Sequence, residues 1–551
     1  MKIRALTVLF LAFAAHPLPA QNHGETVYQV PNGLIEGAAF KDLFLPQPLV
    51  GKLSSDLWGA PDVLPRDPAN GIEDAKWSYW GSNVITGDDG REHMFVCRWL
   101  ESAEKGHFEY HDSEVVHAVA DNPNGPFVAQ ERIGMGHNPE VFQAKDGSWV
   151  LFVNEACYLA DDLNGPWRKS QLAYDLRDTG TTRLVNHTFA PREDGSVLMI
   201  SRQGHAWVSE DGIRTFRKLT TENIYPPVPG RFEDPVVWRD EVQYHLIVND
   251  WFGRIAYYLR SPDGVHWTWD DGAAYDPGVI TREDGTTEGW YKLERPKVRQ
   301  DPYGRATHMY FAVIDWPKHQ DLGNDRYSSK NVSVPLRQGR RMQILNGDQI
   351  TSATPEITVK LLAEPGFAPG RDLDLTSLRF GATDVVNFGK GAEVVSSEPV
   401  GNDLHVTFAG AHGITAKNFA AKLLGQDREG GLQFGYARLP EYDFIRPLLF
   451  ARPPRLARPH PDEVEVWSMI ENFGQVSSAP TIVNLKLHRG DEIIAERNTI
   501  VNGVPAYQAI KLDAHLAIPS DTPAGATEVT ITIDPTGLHP ETLHLESIKL
   551  P

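Results

Sequence analysis

The sequence predicts an all-β protein assembled from repeated antiparallel modules. Four similar segments, at 137–141, 186–190, 233–237 and 294–298, each open a stretch rich in β-forming residues. Their second positions, 138, 187, 234 and 295, lie 49, 47 and 61 residues apart. Four-stranded units that recur every 40–50 residues or so are typical of β-propeller blades. We therefore predict a five-bladed β-propeller followed by two β-sandwich domains.

Turn signals divide each module into strands. A first module, running from Trp77 to Ala118, precedes the four recurring segments. Asp-Gly pairs, which are strong hairpin signals, stand at 89–90, 146–147, 194–195, 211–212 and 263–264. A second repeat relates 121–127 to 161–167, and 209–216 to 261–267. We assign these segments to the turns between the third and fourth strands of a blade.

The repeat stops near Leu345, and a Pro- and Gly-rich linker follows at 364–370. Another Pro-rich break, at 452–454, precedes strands in which polar and apolar residues alternate, such as 463–467 and 527–533. Alternation of this kind is typical of β-sandwiches. We divide the chain into a signal peptide (1–20), a propeller (21–350), an accessory β-sandwich (366–455) and an immunoglobulin-like β-sandwich (456–551).

The N-terminus has the features of a secretory signal peptide. Lys2 and Arg4 precede a short apolar run at 6–15, which is too short to span a membrane. We expect a secreted or periplasmic protein with no membrane span. Cys97 and Cys157 are the two cysteines of the chain and stand in apolar strands, so we expect buried free thiols. The net charge of −20 argues against nucleic acid as a partner.

Two acids stand at the recurring segments. Asp234 and its neighbour Glu233 directly precede an apolar strand, although buried carboxylates are costly unless they are paired. Glu294 follows Trp290 and Tyr291, which could stack on a sugar ring, and we expect burial to raise its pKa as a general acid requires. Hydrolysis of a glycoside normally needs a second carboxylate. We assign catalytic roles to Asp234 and Glu294.

The general base is the open assignment. The first module has Trp80-Gly81-Ser82 where the others have their recurring segment, and it offers no acid there. Asp74, just upstream, is the first candidate base, and Glu114 is its rival. We assign substrate-binding roles to a further set of residues: Trp80, Glu114, His137, His187, Arg231, Asp250, Trp251, Arg295 and Lys330.

Other chemistries find no support in the sequence. There is no metal-ligand spacing of Cys and His, no phosphate-binding Gly loop and no Gly-x-Ser-x-Gly segment. We expect no cofactor, and we leave open an axial Ca²⁺ or similar ion in the propeller channel, with His137 and His187 as candidate ligands. The oligomeric state stays undetermined.

At these residues, over about 70–345, the chain resembles the five-bladed β-propeller glycoside hydrolases, in particular glycoside hydrolase families 43 and 117. The resemblance implies an inverting exo-glycosidase with a base in the first blade, an aspartate that orients substrate and tunes the acid, and a later acid. Asp234 matches the tuning aspartate and Glu294 the region of the acid. We expect an exported enzyme that releases a terminal sugar from plant or algal oligosaccharides, such as fragments of sulfated galactans. The alternative is a propeller that binds glycans without catalysis.

Overall fold

The computed structural model describes residues 30–53, 66–154, 156–175, 177, 185–220, 222–252, 254–325, 329–534 and 540–551. The predicted signal peptide, 1–20, lies outside this part. Antiparallel sheets dominate the described residues, and the two α-helices found there, Pro369–Asp372 and Thr383–Val386, have four residues each. The prediction of an all-β protein is confirmed. No helix among the described residues is long and apolar enough to cross a membrane.

Five antiparallel sheets follow one another along the first part of the chain, and in each the strands pair in sequence order. Sheet 1 contains β1 (Trp77–Thr86), β2 (Glu92–Leu100), β3 (Glu114–Ala120) and β4 (Val128–Met135). Sheet 2 contains β5 (Glu140–Gln143), β6 (Trp149–Val153), β7 (Ala156–Ala160) and β8 (Arg168–Ser170). Sheet 3 contains β9 (Thr188–Pro191), β10 (Val197–Ile200), β11 (Ala206–Ser209) and β12 (Arg217–Lys218).

Sheets 4 and 5 continue the series. Sheet 4 contains β13 (Phe232–Arg239), β14 (Tyr244–Asp250), β15 (Ile255–Ser261) and β16 (Thr268–Trp269). Sheet 5 contains β17 (Lys292–Gln300), β18 (Ala306–Ile314) and β19 (Ser329–Pro335). The first strands contact one another in the order β1, β5, β9, β13, β17 and then β1 again. Ile72, which precedes β1 in the chain, forms an isolated antiparallel bridge with Asn331 of β19.

The turns repeat as the sequence predicts. At 89–90, 146–147 and 194–195 the glycine has a positive φ of 75° to 88°, which glycine adopts without steric cost. In each of these turns the aspartate carboxylate accepts the backbone N–H two residues on, at 3.0 Å. The segments 121–127 and 161–167 lie between the third and fourth strands of their sheets. In each, a side-chain oxygen, Oδ1 of Asn122 or of Asp162, accepts the backbone N–H two residues on at 2.8 Å. The predicted hairpins and the second repeat are confirmed.

Four further sheets form the C-terminal part. Sheet 6 contains, in spatial order, β20 (Met342–Ile344), β21 (Glu356–Leu361), β24 (Asp403–Ala409) and β23 (Glu393–Val400). Sheet 7 contains β22 (Arg379–Gly381), β25 (Ala420–Gln426) and β26 (Leu432–Arg438). The buried residues of these two sheets share one apolar core, which includes Val359, Val406 and Leu423.

Sheets 8 and 9 complete the chain. Sheet 8 contains β27 (Leu449–Ala451), β29 (Glu463–Asn472), β28 (Arg455–His460) and β32 (Ala509–Ala517), the last of which also pairs with β29. Sheet 9 contains, in spatial order, β31 (Glu492–Val501), β30 (Thr481–Arg489), β33 (Gly525–Ile533) and β34 (Glu541–Leu550). Buried and more exposed residues alternate along β29 and β33, so each strand turns one side towards the core that includes Val466, Leu485 and Ile531.

Strand pairing connects the chain on the two sides of residue 350. Glu356–Leu361 pairs with Asp403–Ala409, and Met342–Ile344 pairs with Glu356–Leu361. The strands β20, β21 and β24 therefore form one sheet, although residue 350 lies between the first two of them. The Pro- and Gly-rich segment 364–370 lies between β21 of sheet 6 and β22 of sheet 7. The division of the chain into domains stays a prediction.

Candidate functional site

One left-handed residue recurs at the start of every one of sheets 1 to 5. Gly81, Asn138, Asn186, Asp234 and Arg295 have φ values of 53°, 54°, 52°, 55° and 52°. Glycine, asparagine and aspartate are the residues that enter this region most readily, which explains four of the five choices. In β1, β13 and β17 the strand pairing shifts at this place. Such a bulge turns the neighbouring side chain away from the regular pleat.

These five residues lie side by side in a closed ring. Asn138 Nδ2 donates to Asn186 Oδ1 at 2.8 Å, and Asn186 Nδ2 lies 3.2 Å from Asp234 Oδ1. Arg295 Nη1 donates to Asp234 Oδ1 at 2.7 Å. A Cβ on Gly81 would lie 3.1 Å from Asn138 Oδ1 and 3.6 Å from the side chain of Arg295. We call this set the central ring.

The central ring corrects the alignment of one repeat. We aligned residue 187 with 138, 234 and 295, whereas the structure places Asn186 at that position. His187 stands one residue further on. Its ring is fully buried and stacks on Phe152, with 5.0 Å between ring centroids, and it does not line the cleft described next. Burial, with a smaller effect of Arg295, lowers the pKa of His187 to about 3, so the imidazole is neutral.

A cleft of about 620 Å³ opens above the central ring. The residue that precedes each ring member lines it: Trp80, His137, Val185, Glu233 and Glu294. The segments 107–111 and 317–319 add further walls. Aromatic and imidazole side chains on these walls are His107, Phe108, Tyr110, His111, Trp251, Tyr291 and His319. Aromatic faces beside convergent polar groups are typical of small-molecule sites.

Glu233 has the pKa expected of a general acid. Its side chain is 22% exposed, and Asn186 Nδ2 donates to Oε1 at 2.8 Å. Burial, and then the negative charge of Asp234, raises the pKa of Glu233 to about 7, although Arg202 at 3.1 Å opposes the rise. With this pKa, a large fraction of Glu233 is protonated near neutral pH.

Glu294 is in the opposite state. Lys292 Nζ lies 3.2 Å from one carboxylate oxygen, and Lys318 donates to the other. Burial alone would raise the pKa, but the charges of Lys318 and Lys292 outweigh it, and the pKa of Glu294 is lowered. Our expectation that burial raises this pKa is therefore wrong, because two ammonium groups share the pocket. Glu294 lines the cleft as an ionised carboxylate.

Asp234 belongs to the floor of the cleft. It is 3% exposed, and it accepts both the side chain and the backbone N–H of Arg295. The ion pair holds the two central-ring residues of sheets 4 and 5 together. Asp234 is the one carboxylate among the five ring members, and its charge is matched by the Arg295 guanidinium.

Three other predicted binding residues line the cleft. Trp80 lies beneath Lys318, whose Nζ is 4.4 Å from the ring centroid. Trp251 is covered by Lys292 and Arg231, at 4.4 Å and 5.2 Å from its ring centroid. His137 packs against Tyr110, with 4.7 Å between ring centroids. Burial, together with Arg295, lowers the pKa of His137 well below its usual range, so its ring is neutral.

Neither predicted base lines the cleft. Asp74 accepts the backbone N–H groups of Lys76 and Trp77 at 2.8 Å and 3.0 Å, and the hydroxyl of Tyr79 donates to it. It thus caps the start of β1, which is the structural role that an Asp before a strand often has. Glu114 is paired with Arg98 and Arg132 at 2.9 Å and 2.6 Å. The assignment of Asp74 or Glu114 as the base is not supported by their positions.

The remaining predicted residues support the walls from behind. Asp250 accepts the backbone N–H of Arg231 at 2.9 Å, and the Arg231 guanidinium lies against Trp251. Lys330 is buried, 3.4 Å from a carboxylate oxygen of Glu73. None of Arg231, Asp250 and Lys330 lines the cleft.

Sequence reasoning missed Glu233, Arg202, Lys292 and Lys318 as members of the site. Glu233 was visible as the neighbour of Asp234, and the position before each ring residue is the signal that finds it. Lys318 had no such signal, because it lies on a loop that joins β18 to β19 and reaches Glu294 only through the tertiary structure.

Both cysteines are buried and free.

Two groups among the described residues have donor atoms close enough for a cation: Glu101, Asp321 and Asp325, and separately Glu465, Asp513 and His515. In the first group, burial and then the charge of Glu101 raise the pKa of Asp321 to about 8. The carboxyl group of Asp321 therefore holds a proton at neutral pH. Neither group lies on the cleft.

No protein-family model matches the chain, and no curated protein matches its sequence. Solved structures to which it is similar include glycoside hydrolases of family 43. One described as a glycoside hydrolase is 10% identical, with a TM-score of 0.36, and the match covers 82% of this chain and 94% of that one. A thermostable family-43 glycoside hydrolase is 13% identical, with a TM-score of 0.31 and coverage of 52% and 94%.

A mutant of the family-43 protein BlXynB from Bacillus licheniformis is 8% identical, with a TM-score of 0.30, and the match covers 86% of this chain and 90% of that one.

Proposed function

We propose that sheets 1 to 5 are the blades of a five-bladed β-propeller and that the cleft above its axis hydrolyses glycosidic bonds. The cyclic contacts of the first strands and the central ring support the five-fold arrangement. In such a fold the residue before each ring member points to one axis, so groups far apart in sequence converge.

The observation that carries the enzymatic proposal is the contrast between two carboxyl groups in one cleft. Burial and Asp234 raise the pKa of Glu233 to about 7, whereas two lysines keep the pKa of Glu294 low. Glycosidases hold a general acid and a general base at the same pH by placing two carboxyl groups in environments that separate their pKa values.

The roles follow from these states. Glu233 donates its proton to the oxygen of the leaving group. Glu294, ionised, takes a proton from the water that attacks the anomeric carbon, which inverts its configuration. Asp234 sustains the raised pKa of Glu233 through its charge, and Arg295 and Asn186 hold Asp234 and Glu233 in place. We therefore propose Glu233, instead of Glu294, as the general acid, and Glu294, instead of Asp74, as the general base.

The walls favour a sugar as the substrate. Trp80, Trp251 and Tyr291 line the cleft beside its polar groups, and the cleft volume is within the range of small-molecule sites. We propose an exo-acting enzyme on plant or algal oligosaccharides. The N-terminal sequence supports export.

The test is a panel of agar, carrageenan, ulvan, arabinan and xylan oligosaccharides, followed by proton NMR of the first product. An inverting enzyme releases the anomer opposite to that of the substrate. Glu233→Gln and Glu294→Gln should each lower kcat by at least about 100-fold, whereas Glu114→Gln, which alters a paired carboxylate outside the cleft, should not. Retention of configuration would contradict the assignment of Glu294 as a base.

A second candidate function is glycan binding without catalysis. It is favoured by one observation: each carboxylate of the cleft has a cationic partner, Glu233 with Arg202, Asp234 with Arg295, and Glu294 with Lys292 and Lys318. A Glu294→Gln protein that binds oligosaccharide as the wild type does, together with a wild type that turns over no member of the panel, would support this alternative.

A further inference from the structure

A second cleft, of about 660 Å³, lies between the N-terminal sheets and the sheets that follow them. Residues of sheet 4, such as Trp238 and Tyr258, line one side, and residues near or within sheets 6 and 7, such as Arg340 and Tyr436, line the other. It shares no lining residue with the cleft above the central ring. We call it the junction cleft.

The junction cleft is positively charged in a protein of net charge −20. Among its lining residues two are acidic, Asp240 and Glu241. Five are arginines, Arg305, Arg337, Arg340, Arg341 and Arg438, and the sixth basic residue is Lys422, whose pKa burial lowers to about 7. A local excess of this kind attracts anions within a Debye length of about 8–10 Å, whatever the net charge of the whole molecule.

Part of this charge already has partners within the protein. Arg305 pairs with Asp301 and Glu364, both at 2.7 Å, and Arg341 pairs with Glu241 at 2.7 Å. These arginines contribute to the positive potential, but they have little capacity left to bind an added anion.

Arg337 and Arg438 have donors to spare. Arg337 Nε, and both Nε and Nη1 of Arg438, are buried without a hydrogen-bond partner among the described residues. Arg438 donates through Nη2 to the carbonyl of Val242 and lies over Phe444. Burial lowers the pKa of Arg438 to about 10, against the opposing charge of Asp240. Buried donors of this kind are costly to leave unsatisfied, and an anion would satisfy them.

Aromatic side chains complete the junction cleft. Tyr303 is 40% exposed, and Tyr436 and Tyr442 are half-buried. Tyrosine combines an apolar ring face with a polar tip, which suits the face and hydroxyl groups of a sugar. We propose that the junction cleft binds an anionic oligosaccharide, whose carboxylate or sulfate is held by Arg337 and Arg438.

The test is isothermal titration calorimetry on the full-length protein, with trigalacturonate as the probe. We expect binding that weakens as salt rises, and none to the neutral galactotriose. Arg337→Gln should weaken binding at least about tenfold, as expected for a charge-assisted hydrogen bond, and Arg337→Lys should weaken it less. Arg168→Gln, an exposed arginine paired with Asp161 in sheet 2, is the matched control and should leave binding unchanged.

Three results would overturn the proposal: Arg337→Gln with unchanged affinity, galactotriose bound as tightly as trigalacturonate, or no binding of trigalacturonate. Inorganic sulfate bound as tightly as trigalacturonate, with the same dependence on Arg337, would contradict the oligosaccharide. Because Arg337 makes no side-chain hydrogen bond or ion pair within the described part, thermal melts of Arg337→Gln should match the wild type. The second cleft does not depend on the proposed hydrolysis, and Glu233→Gln should bind trigalacturonate at the junction cleft as the wild type does.

Discussion

Replacement of Glu233 by Gln should raise the stability of the protein at pH 8 while it abolishes turnover. The rise of the Glu233 pKa from its ordinary value of 4.5 to about 7 means that ionisation costs the folded state free energy. At about 1.4 kcal/mol for each tenfold change in the ionisation constant, the cost is about 3 kcal/mol. Because the Glu233 side chain is 22% exposed, solvent screening reduces this cost, and we expect about 1–3 kcal/mol.

The direction of the Glu233 pKa shift sets the pH range over which the wild type loses stability. Below pH 4.5 Glu233 is protonated in both the folded and the unfolded chain, and its titration costs nothing. Between pH 4.5 and about 7 the unfolded chain ionises first, so the wild type loses stability, and above about 7 the loss is complete. A Gln at position 233 cannot ionise and escapes this loss.

The assay is chemical denaturation of wild type and Glu233→Gln at pH 4 and pH 8, with kcat/KM measured from pH 4 to 9. The variant should be more stable than the wild type by a larger margin at pH 8 than at pH 4, and the wild-type kcat/KM should fall above about pH 7. Glu114→Gln is the control for loss of a carboxylate. A variant with the same pH dependence of stability as the wild type, or with wild-type turnover, would refute the reasoning.

Three further predictions concern the walls, the ring and the cap. Lys318→Met removes the larger of the cationic effects on Glu294, so the Glu294 pKa should rise and the acidic limb of kcat/KM should move to higher pH; an unmoved limb would contradict the role of Glu294 as the base. Gly81→Ala should lower the free energy of unfolding, measured in urea, by about 1–2 kcal/mol because residue 81 has a left-handed backbone. The loss should be larger still because the new Cβ would lie 3.1 Å from Asn138 Oδ1. Gly90→Ala, also at positive φ but with open space around it, should show the backbone cost alone. Asp74→Asn should leave kcat/KM within about twofold and lower stability by about 1 kcal/mol through the weakened cap; a 100-fold loss of activity would restore it as a candidate base.

Much of the local structure followed from residue type. The Asp-Gly pairs predicted the hairpins because glycine alone enters the required region without cost and an adjacent aspartate caps the turn. The recurring segments predicted the repeat, and Asp234 and Glu294 were found in the cleft because an acid before an apolar strand is hard to explain otherwise. His187 was misaligned by one residue, since the short strand β9 gave no periodic pattern to set its register.

The sequence by itself determined the all-β class, the repeated hairpins and the two acids that mark the cleft, because these depend on backbone preferences and on patterns within a few residues. The tertiary structure alone decided the charge states. Lys318 lowers the Glu294 pKa from a distant loop, and Asp234, through a central ring built from five sheets, helps to raise that of Glu233. Whether a carboxyl group is an acid or a base depends on its burial and on the charges within a few ångströms, which only the fold brings together.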